Sequence, residues 1–415
     1  MSNYDLFAPY PISPAKITRL AGYGSANYKV EDLTGQTYLV KHHMDPESFK
    51  RIEAENKIMA HLSAQLPIEV SSPSYDKLIT YPDGSFSRML CFINGIFLKD
   101  VEATPELSFN FGKIIALSHQ SLGSYKTVEI EAFDHKWNLM NCLDSVEDMD
   151  LISDPSQRKI VNYFLEQYKQ VCADPLRKLP KQIIHNDLND WNVLVSDNEI
   201  KGIIDFGDLC YAPKICDLAI AMAYLLLDTP TPLIRAVDLI EGYLSIQKLD
   251  EKEIELLYYL IPARLCVSVI SSNKERSQGN TEDYIFVTEH KAWALLSKWF
   301  EMNPILFKNS LMKPLGFQQL NSLPTLISKR KKHLSSALSL SFDDPIHMTS
   351  AAFQYMYAAN GDTYLDAYNN IPHVGHCHPE VTQAAARQIN KLNTNTRYLY
   401  EALMGYSERL LKYFP

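Results

Sequence analysis

His185-Asn-Asp187-Leu-Asn-Asp190-Trp-Asn192 is followed by two short apolar runs and then by Asp205-Phe-Gly-Asp208. The runs, 192–196 and 200–205, read as β-like and are separated by Asp197-Asn198. This order brings two carboxylates and a carboxamide into one neighbourhood. Phosphoryl transfer needs such parts: a carboxylate to take the proton of an attacking hydroxyl, and hard oxygen ligands for a Mg²⁺ ion that bridges phosphates. What comes next narrows the choice further. Asp217, with the look of a helix N-cap, begins an apolar helix only a few residues after Gly207. A peptide platform does not fit in that space, so the expected acceptor is a small molecule.

The rest of the chain sets bounds. At 415 residues it has room for two or three domains with real cores, and nearly half of its residues are hydrophobic. A net charge of −9 argues against nucleic acid as a partner. The seven cysteines include no CxxC pair, which points away from a disulfide framework and towards a reducing cytoplasm. No basic segment followed by an apolar run marks the N-terminus as a secretory signal. The most apolar run, 218–227, is too short to span a bilayer and reads as a buried helix. The expectation is therefore a cytoplasmic chain with no membrane partner.

Residues 1–96 read as a β-rich lobe with one helix. Strands are expected at 17–20, 28–30, 38–41, 78–81 and 87–93, and a helix at 49–66. Asn94-Gly95 punctuates the chain before a mainly helical region, 97–307, with helices expected at 109–121, 158–173, 233–243, 252–273 and 284–301. A small β-rich lobe followed by a larger helical one is the plan of a kinase. Residues 308–345 look like a linker, with Pro314, Gly316, Pro324 and a basic run at 329–332 that reads as a solvated helix face or linker. From 346 a new pattern starts, with strand-like runs at 355–357 and 363–366 and helices at 379–391 and 400–411.

Within the first lobe, Gly22-Tyr-Gly24-Ser25-Ala-Asn27 sits between two strands, where glycines let backbone N–H groups approach phosphate oxygens. Lys41 on the next strand is the candidate for the α- and β-phosphates, held by Glu55 on the following helix, with Glu53 as a competitor. Asp187 is the candidate base, able to orient the acceptor hydroxyl and take its proton. Asn192 and Asp205 are the candidate Mg²⁺ ligands. His185 reads as structural, Asp190 as a holder of a substrate ammonium or of nothing, and Asp208 as a support or an alternative metal ligand.

These residues resemble the aminoglycoside phosphotransferase-like superfamily of small-molecule kinases, which includes choline, homoserine and hydroxylysine kinases. The resemblance spans about residues 15–305. It takes in Phe111-Gly-Lys-Ile-Ile-Ala-Leu-Ser-His119, similar to the family's helix ending in a Leu-His pair, and Pro213-Lys-Ile-Cys-Asp217-Leu-Ala. It implies an α+β, bilobal protein-kinase-like fold using ATP or GTP with Mg²⁺. Asp187 would be the base, Asn192 and Asp205 the magnesium ligands and Lys41 a phosphate ligand, with the backbone near Cys91 and Ile93 meeting the purine. Asn27 stands where protein kinases have a third glycine. The wording around Asp187 and Asp205 looks most like hydroxylysine kinases, which makes a small amino-alcohol or hydroxy-amino acid the expected acceptor. Aminoglycosides, choline and homoserine are the alternatives.

Tyr364-Leu-Asp366-Ala-Tyr-Asn369-Asn370-Ile-Pro-His373-Val-Gly-His376-Cys-His378-Pro, with Leu392-Asn-Thr-Asn-Thr-Arg397-Tyr, resembles the N-terminal part of class III pyridoxal-phosphate aminotransferases. The nearest branch is that of phospho-lyases. The resemblance implies a partial α/β aminotransferase segment over 346–415, either cut from a longer fusion, the favoured reading, or a remnant. Pyridoxal phosphate, and a dimer through this part, would belong to the full-length parent and not to this chain, because neither Lys391 nor Lys412 lies in a cofactor-lysine context. The crowded His373, His376, Cys377 and His378 suit tetrahedral zinc poorly.

Overall fold

The computed structural model describes residues 6–22, 24–133, 135–280, 288–315, 322–369 and 373–414. Tyr23 of the glycine loop, Gly316, Asn370 and the first residues of the helix expected at 284–301 lie outside that set. Two compact units make up the chain: Met1–Thr349 with Tyr357–Thr363, and Ser350–Met356 with Tyr364–Pro415.

The first unit begins with a five-stranded antiparallel sheet. Strands Pro14–Leu20, Ala26–Asp32, Thr37–His43, Phe86–Cys91 and Ile79–Thr80 lie side by side in that order. Its alternation buries Val30, Val40 and Met89 against Leu6, Phe7, Tyr10 and Tyr81 on one face. Register fixes the other face. Asn27 lies opposite Lys41, and Lys41 opposite Arg88, so the three side chains form a row across neighbouring strands. Helix Phe49–Gln65 packs behind them and buries Ile52, Ile58, Met59 and Leu62.

A four-stranded sheet follows in the order Glu69–Val70, Glu199–Ile203, Val193–Ser196, Ile96–Phe97. The second and third of these form the hairpin foreseen after Asn192, turning at Asp197 and Asn198, both with positive φ. The short path after Gly207 is also real. Cys210–Pro213 pairs antiparallel with Lys181–Ile184, and helix Ile215–Leu225 starts at once, with every residue buried.

Helix Glu251–Ser277 packs against helices Ile215–Leu225, Pro155–Val171, Glu289–Glu301 and Pro304–Met312. Its start is fixed by an Asp250–Glu253 capping box. Among the described residues it is the helix long and apolar enough to cross a bilayer, a property the sequence reading had looked for only at 218–227. However, 78% of its apolar window is buried inside the protein, as in a core helix. The stretch read as linker contains helix Leu323–His333, which has no buried residue and carries the basic run towards its last turn.

In the second unit, helices Pro379–Lys391 and Glu401–Leu411 form where periodicity places them. Among its described residues no distinct aminotransferase fold is evident. His376 Nε2 lies 2.7 Å from Asp366 Oδ2, which also accepts the Tyr368 and Asn369 N–H groups through Oδ1. That hydrogen bond, with Cys377 exposed, occupies the histidine in stapling the loop.

Candidate active site

The loop before the hairpin is held by a buried carboxylate. Asp217 accepts the His185 N–H at 3.0 Å through Oδ2 and the Asn186 N–H at 2.6 Å through Oδ1, and its Oδ2 also lies 3.1 Å from His119 Nε2. This corrects the N-cap reading: Asp217 is inside the first turn of its helix, and it caps the loop of another segment instead. Asn186 can therefore keep a left-handed φ of 64°. His119, in turn, reaches the Tyr243 hydroxyl at 3.0 Å. His185 ties the loop to the next strand, with the Ile204 carbonyl 3.1 Å from Nε2 and Nδ1 accepting from the Asp187 N–H. Burial lowers its pKa, so it is a neutral strut as expected.

Asp187 is gripped on both oxygens. Oδ1 meets Arg264 Nη2 at 2.8 Å, Oδ2 accepts from Asn192 Nδ2 at 2.7 Å, and Asn189 Nδ2 is shared between the two at 3.0 Å each. Those contacts fill the roughly four in-plane acceptor positions of a carboxylate. Burial pushes its pKa up, and the neighbouring Asp208 and Asp205 add to that, against the pull of Arg264.

Asn192 donates through Nδ2 to the Asp187 carbonyl as well, which turns its Oδ1 away from that residue. The Ile204 N–H bonds the Asn192 carbonyl, and Val193 pairs with Ile203, so Asn192 and Asp205 flank the open end of one hairpin. Asp205 is in the left-handed region (φ 61°), and its Oδ1 lies 2.7 Å from Lys41 Nζ. The lysine holds the Asp205 pKa down at about 2. One amide oxygen and one carboxylate suit Mg²⁺, which takes few protein ligands and completes its octahedron with phosphates and water.

Lys41 thus pairs with Asp205, and the expected Lys41–Glu55 pair is replaced by another arrangement. Glu55, fully buried, forms ion pairs with Arg51 one turn earlier and with Arg88 at 3.0 Å. Arg51 also donates to the Gly207 carbonyl at 2.9 Å, so the helix is linked to the turn after Asp205 through an arginine. In the glycine loop, Gly24 has a φ of +73° and Ser25 Oγ donates to Asn27 Oδ1. A Cβ on Gly22 would lie 1.9 Å from the Asn27 amide, so Asn27 fills the space that the glycine leaves. The Cys91 backbone is committed on both sides, its N–H to the Ser72 carbonyl and its C=O to the Ser71 hydroxyl. Ile93 packs beside Gly202 of the hairpin.

Several participants escaped the sequence reading. Arg264 is one. His135, whose Nε2 lies 3.0 Å from Asp208 Oδ1, is another. Alternate residues of the same short loop serve three anchors: Phe133 lies under the Arg51 guanidinium, His135 meets Asp208, and the Trp137 carbonyl accepts from Arg264. Asp208 is engaged there. Asp190 is buried; among the described residues its Oδ1 has no hydrogen-bond partner, and burial raises its pKa to about 6.

The sequence profile of the phosphotransferase enzyme family matches residues 16–252, over half the chain. This chain belongs to that family. It is 27% identical over 317 residues to the hydroxylysine kinase of Danio rerio, covering 71% of this chain and 88% of that one. A stretch of 110 residues is 36% identical to the alanine–glyoxylate aminotransferase 2-like protein of Drosophila melanogaster, covering 26% of this chain and 22% of that one. The amicoumacin kinase hAmiN, solved in complex with AMP-PNP, Ca²⁺ and Ami, superposes with a TM-score of 0.53 at 16% identity. That match covers 72% of this chain and 93% of that one, and it shows a shared fold. The phosphotransferase is thus a kinase with a small β-sheet lobe and a large helical lobe, as the sequence plan had it.

Proposed function

We propose that this phosphotransferase moves the terminal phosphoryl group of ATP or GTP to a hydroxyl of a small amine-bearing acceptor, hydroxylysine first among them. The observation that carries this reading is the meeting of Asp187, Asn192, Asp205 and Lys41 at the open end of one hairpin. Asp187 orients the acceptor hydroxyl and receives its proton while the hydroxyl oxygen bonds to phosphorus. The bridging P–O bond breaks and the nucleoside diphosphate leaves. Lys41, released from Asp205 by the nucleotide, meets the phosphates, and the glycine-loop N–H groups at Gly22, Gly24, Ser25 and Asn27 cover them. Asn192 Oδ1 and Asp205 would hold Mg²⁺, which when bound neutralises phosphate charge. Glu55 acts through Arg51 and Arg88 and not on Lys41 directly. The purine edge is met from 92 and 93, because Cys91 is already bonded.

The acceptor class is supported by the 27% identity to hydroxylysine kinase and by the buried Asp190 carboxylate, three residues after the base in the same loop. The test is phosphate transfer with Mg²⁺ and either ATP or GTP to hydroxylysine, ethanolamine, choline, homoserine and an aminoglycoside. Hydroxylysine should be the best acceptor, and Asp187→Ala should lower the rate by about 10²–10⁴-fold. Transfer to the aminoglycoside alone would overturn the acceptor, and equal rates in the variant would remove Asp187 from its role.

A second reading concerns residues 346–415. Their resemblance to class III pyridoxal-phosphate enzymes, with the 36% identical stretch in the Drosophila protein, supports a two-step unit in which a phosphorylated amino-alcohol passes to an eliminating domain of a longer parent. Native protein running near 47.4 kDa in its source tissue would sink this reading.

A further inference from the structure

Arg264 stands in a place that packing alone does not explain. It is 3% exposed in the middle of helix Glu251–Ser277, between Ile261, Pro262 and Ala263 on one side and Leu265 and Cys266 on the other, all buried. Withdrawing a guanidinium from water is costly unless it is paired with good geometry. Here the pairing is specific. Nη2 reaches Asp187 Oδ1 at 2.8 Å and Nη1 the Trp137 carbonyl at 3.3 Å. The Trp137 and Tyr224 rings lie 4.9 and 5.6 Å from the guanidinium carbon. Nε is buried and makes no hydrogen bond among the described residues, so the fork is held by its two ends and by the rings.

We propose that Arg264 is the positioning residue of the base: it fixes one oxygen of Asp187 from a different part of the chain, so that the carboxylate plane faces the acceptor hydroxyl. This rests on the assignment of Asp187 as the base. Arg264 itself touches neither acceptor nor nucleotide. Its neighbours around the carboxylate divide the work. Asn192 and Asn189 belong to the same loop as Asp187, and they move with it. Arg264 belongs to the core helix and references the loop to the rest of the lobe. An incoming hydroxyl must replace one contact on a fully engaged carboxylate. The shared Asn189 bond, split between two oxygens at 3.0 Å each, is the one that yields, while the Arg264 and Asn192 bonds hold the plane.

The test uses the full chain with Arg264→Met, Arg264→Lys and Arg264→Ala, with ATP, Mg²⁺ and hydroxylysine as the probe. In Arg264→Met, kcat should fall by about 10²-fold, the effect of a misplaced reacting group. The KM values for nucleotide and hydroxylysine should stay near wild type. Arg264→Lys keeps the charge, folds, and should recover part of kcat but not all, because an ammonium lacks the planar fork. Added guanidinium ion should raise the Arg264→Ala rate and leave the double variant with Asp187→Asn unchanged. A wild-type kcat in Arg264→Lys and Arg264→Met, or a loss confined to KM, overturns the proposal. Crystal structures of wild type and Arg264→Lys keep the two readings apart. If wild type phosphorylates no hydroxylysine, the acceptor reading falls. An Asp187 carboxylate found in the same orientation with and without the arginine then overturns the positioning role on its own.

Discussion

His43 shows how a site strand carries a buried neighbour with an unpaired ring nitrogen. Two residues from Lys41, it is 8% exposed and stacks on Phe86 with ring centroids 5.0 Å apart, and its Nε2 has no hydrogen-bond partner among the described residues. Burial, helped by Arg88, Lys41 and Arg51, lowers its pKa from 6.5 to about 3. The folded pKa is below the unfolded one, so the unfolded state binds more protons in between. Stability therefore declines as pH falls below about 6.5, and continues to decline towards about 3. His43→Phe keeps the stack and removes both the orphan nitrogen and the titration. Thermal melts should show the variant's advantage over wild type growing between about pH 7.5 and about pH 5. An advantage that is constant with pH would mean that His43 does not titrate out of the fold.

Among the elements, helices Pro105–Leu122 and Pro232–Leu244 approach each other backbone to backbone. A Cβ on Gly242 would stand 1.8 Å from the Phe109 carbonyl oxygen, and one on Gly112 would stand 1.9 Å from that of Leu239. Backbone meets backbone there, so no side chain can swing aside. The same interface carries Tyr243 and His119, whose chain of contacts ends on Asp217 and the loop of Asp187. Gly242→Ala should therefore cost about 3 kcal/mol in denaturant unfolding, by overpacking, and should also lower kcat. A stability loss with unaltered kcat would show that the helix pair supports the fold without setting the loop. The elements themselves were legible because hydrophobic period and turn residues are local signals. Helix Pro379–Lys391 and hairpin 193–203 fall where such signals place them. Asp187, Asn192 and Asp205 were legible because one segment supplies them, and Lys41 because a glycine turn and the strand after it mark its place. Arg264 is 77 residues from Asp187, and Asp217 is 31 from Asn186. Those pairings depend on how helices pack, which no local spacing records. A hint was present for Arg264: an arginine set among apolar residues in the middle of its helix, two residues past an internal proline. Lys41 and Glu55 show the opposite limit: the expected pair does not form, Lys41 meeting Asp205 while Arg51 and Arg88 take the glutamate.

For the whole molecule, the question is where the kinase body stops. The change of sequence pattern at 346 suggests one boundary, yet Tyr357–Thr363 belongs to the first compact unit. Tyr357 and Ala358 are buried, the Tyr357 hydroxyl lies 2.7 Å from that of Tyr163, and Asn303 Nδ2 donates to the Asp362 carbonyl at 2.8 Å. Asn303 also caps helix Pro304–Met312 through Oδ1, so the Asp362 contact helps to hold a cap in place. A chain ending at residue 345 would lose both bonds and uncover the apolar surface beneath Tyr357. Each buried polar group left without its partner costs about 1–3 kcal/mol. A chain ending at 369 keeps them. The shorter chain should melt several degrees below the longer one, while both retain phosphoryl transfer, because Asp187, Asn192, Asp205 and Arg264 all lie before residue 280. Equal melting temperatures would place the functional boundary at 345 after all. A loss of transfer in the shorter chain alone would mean that residues 357–363 brace the helical lobe firmly enough to govern the site.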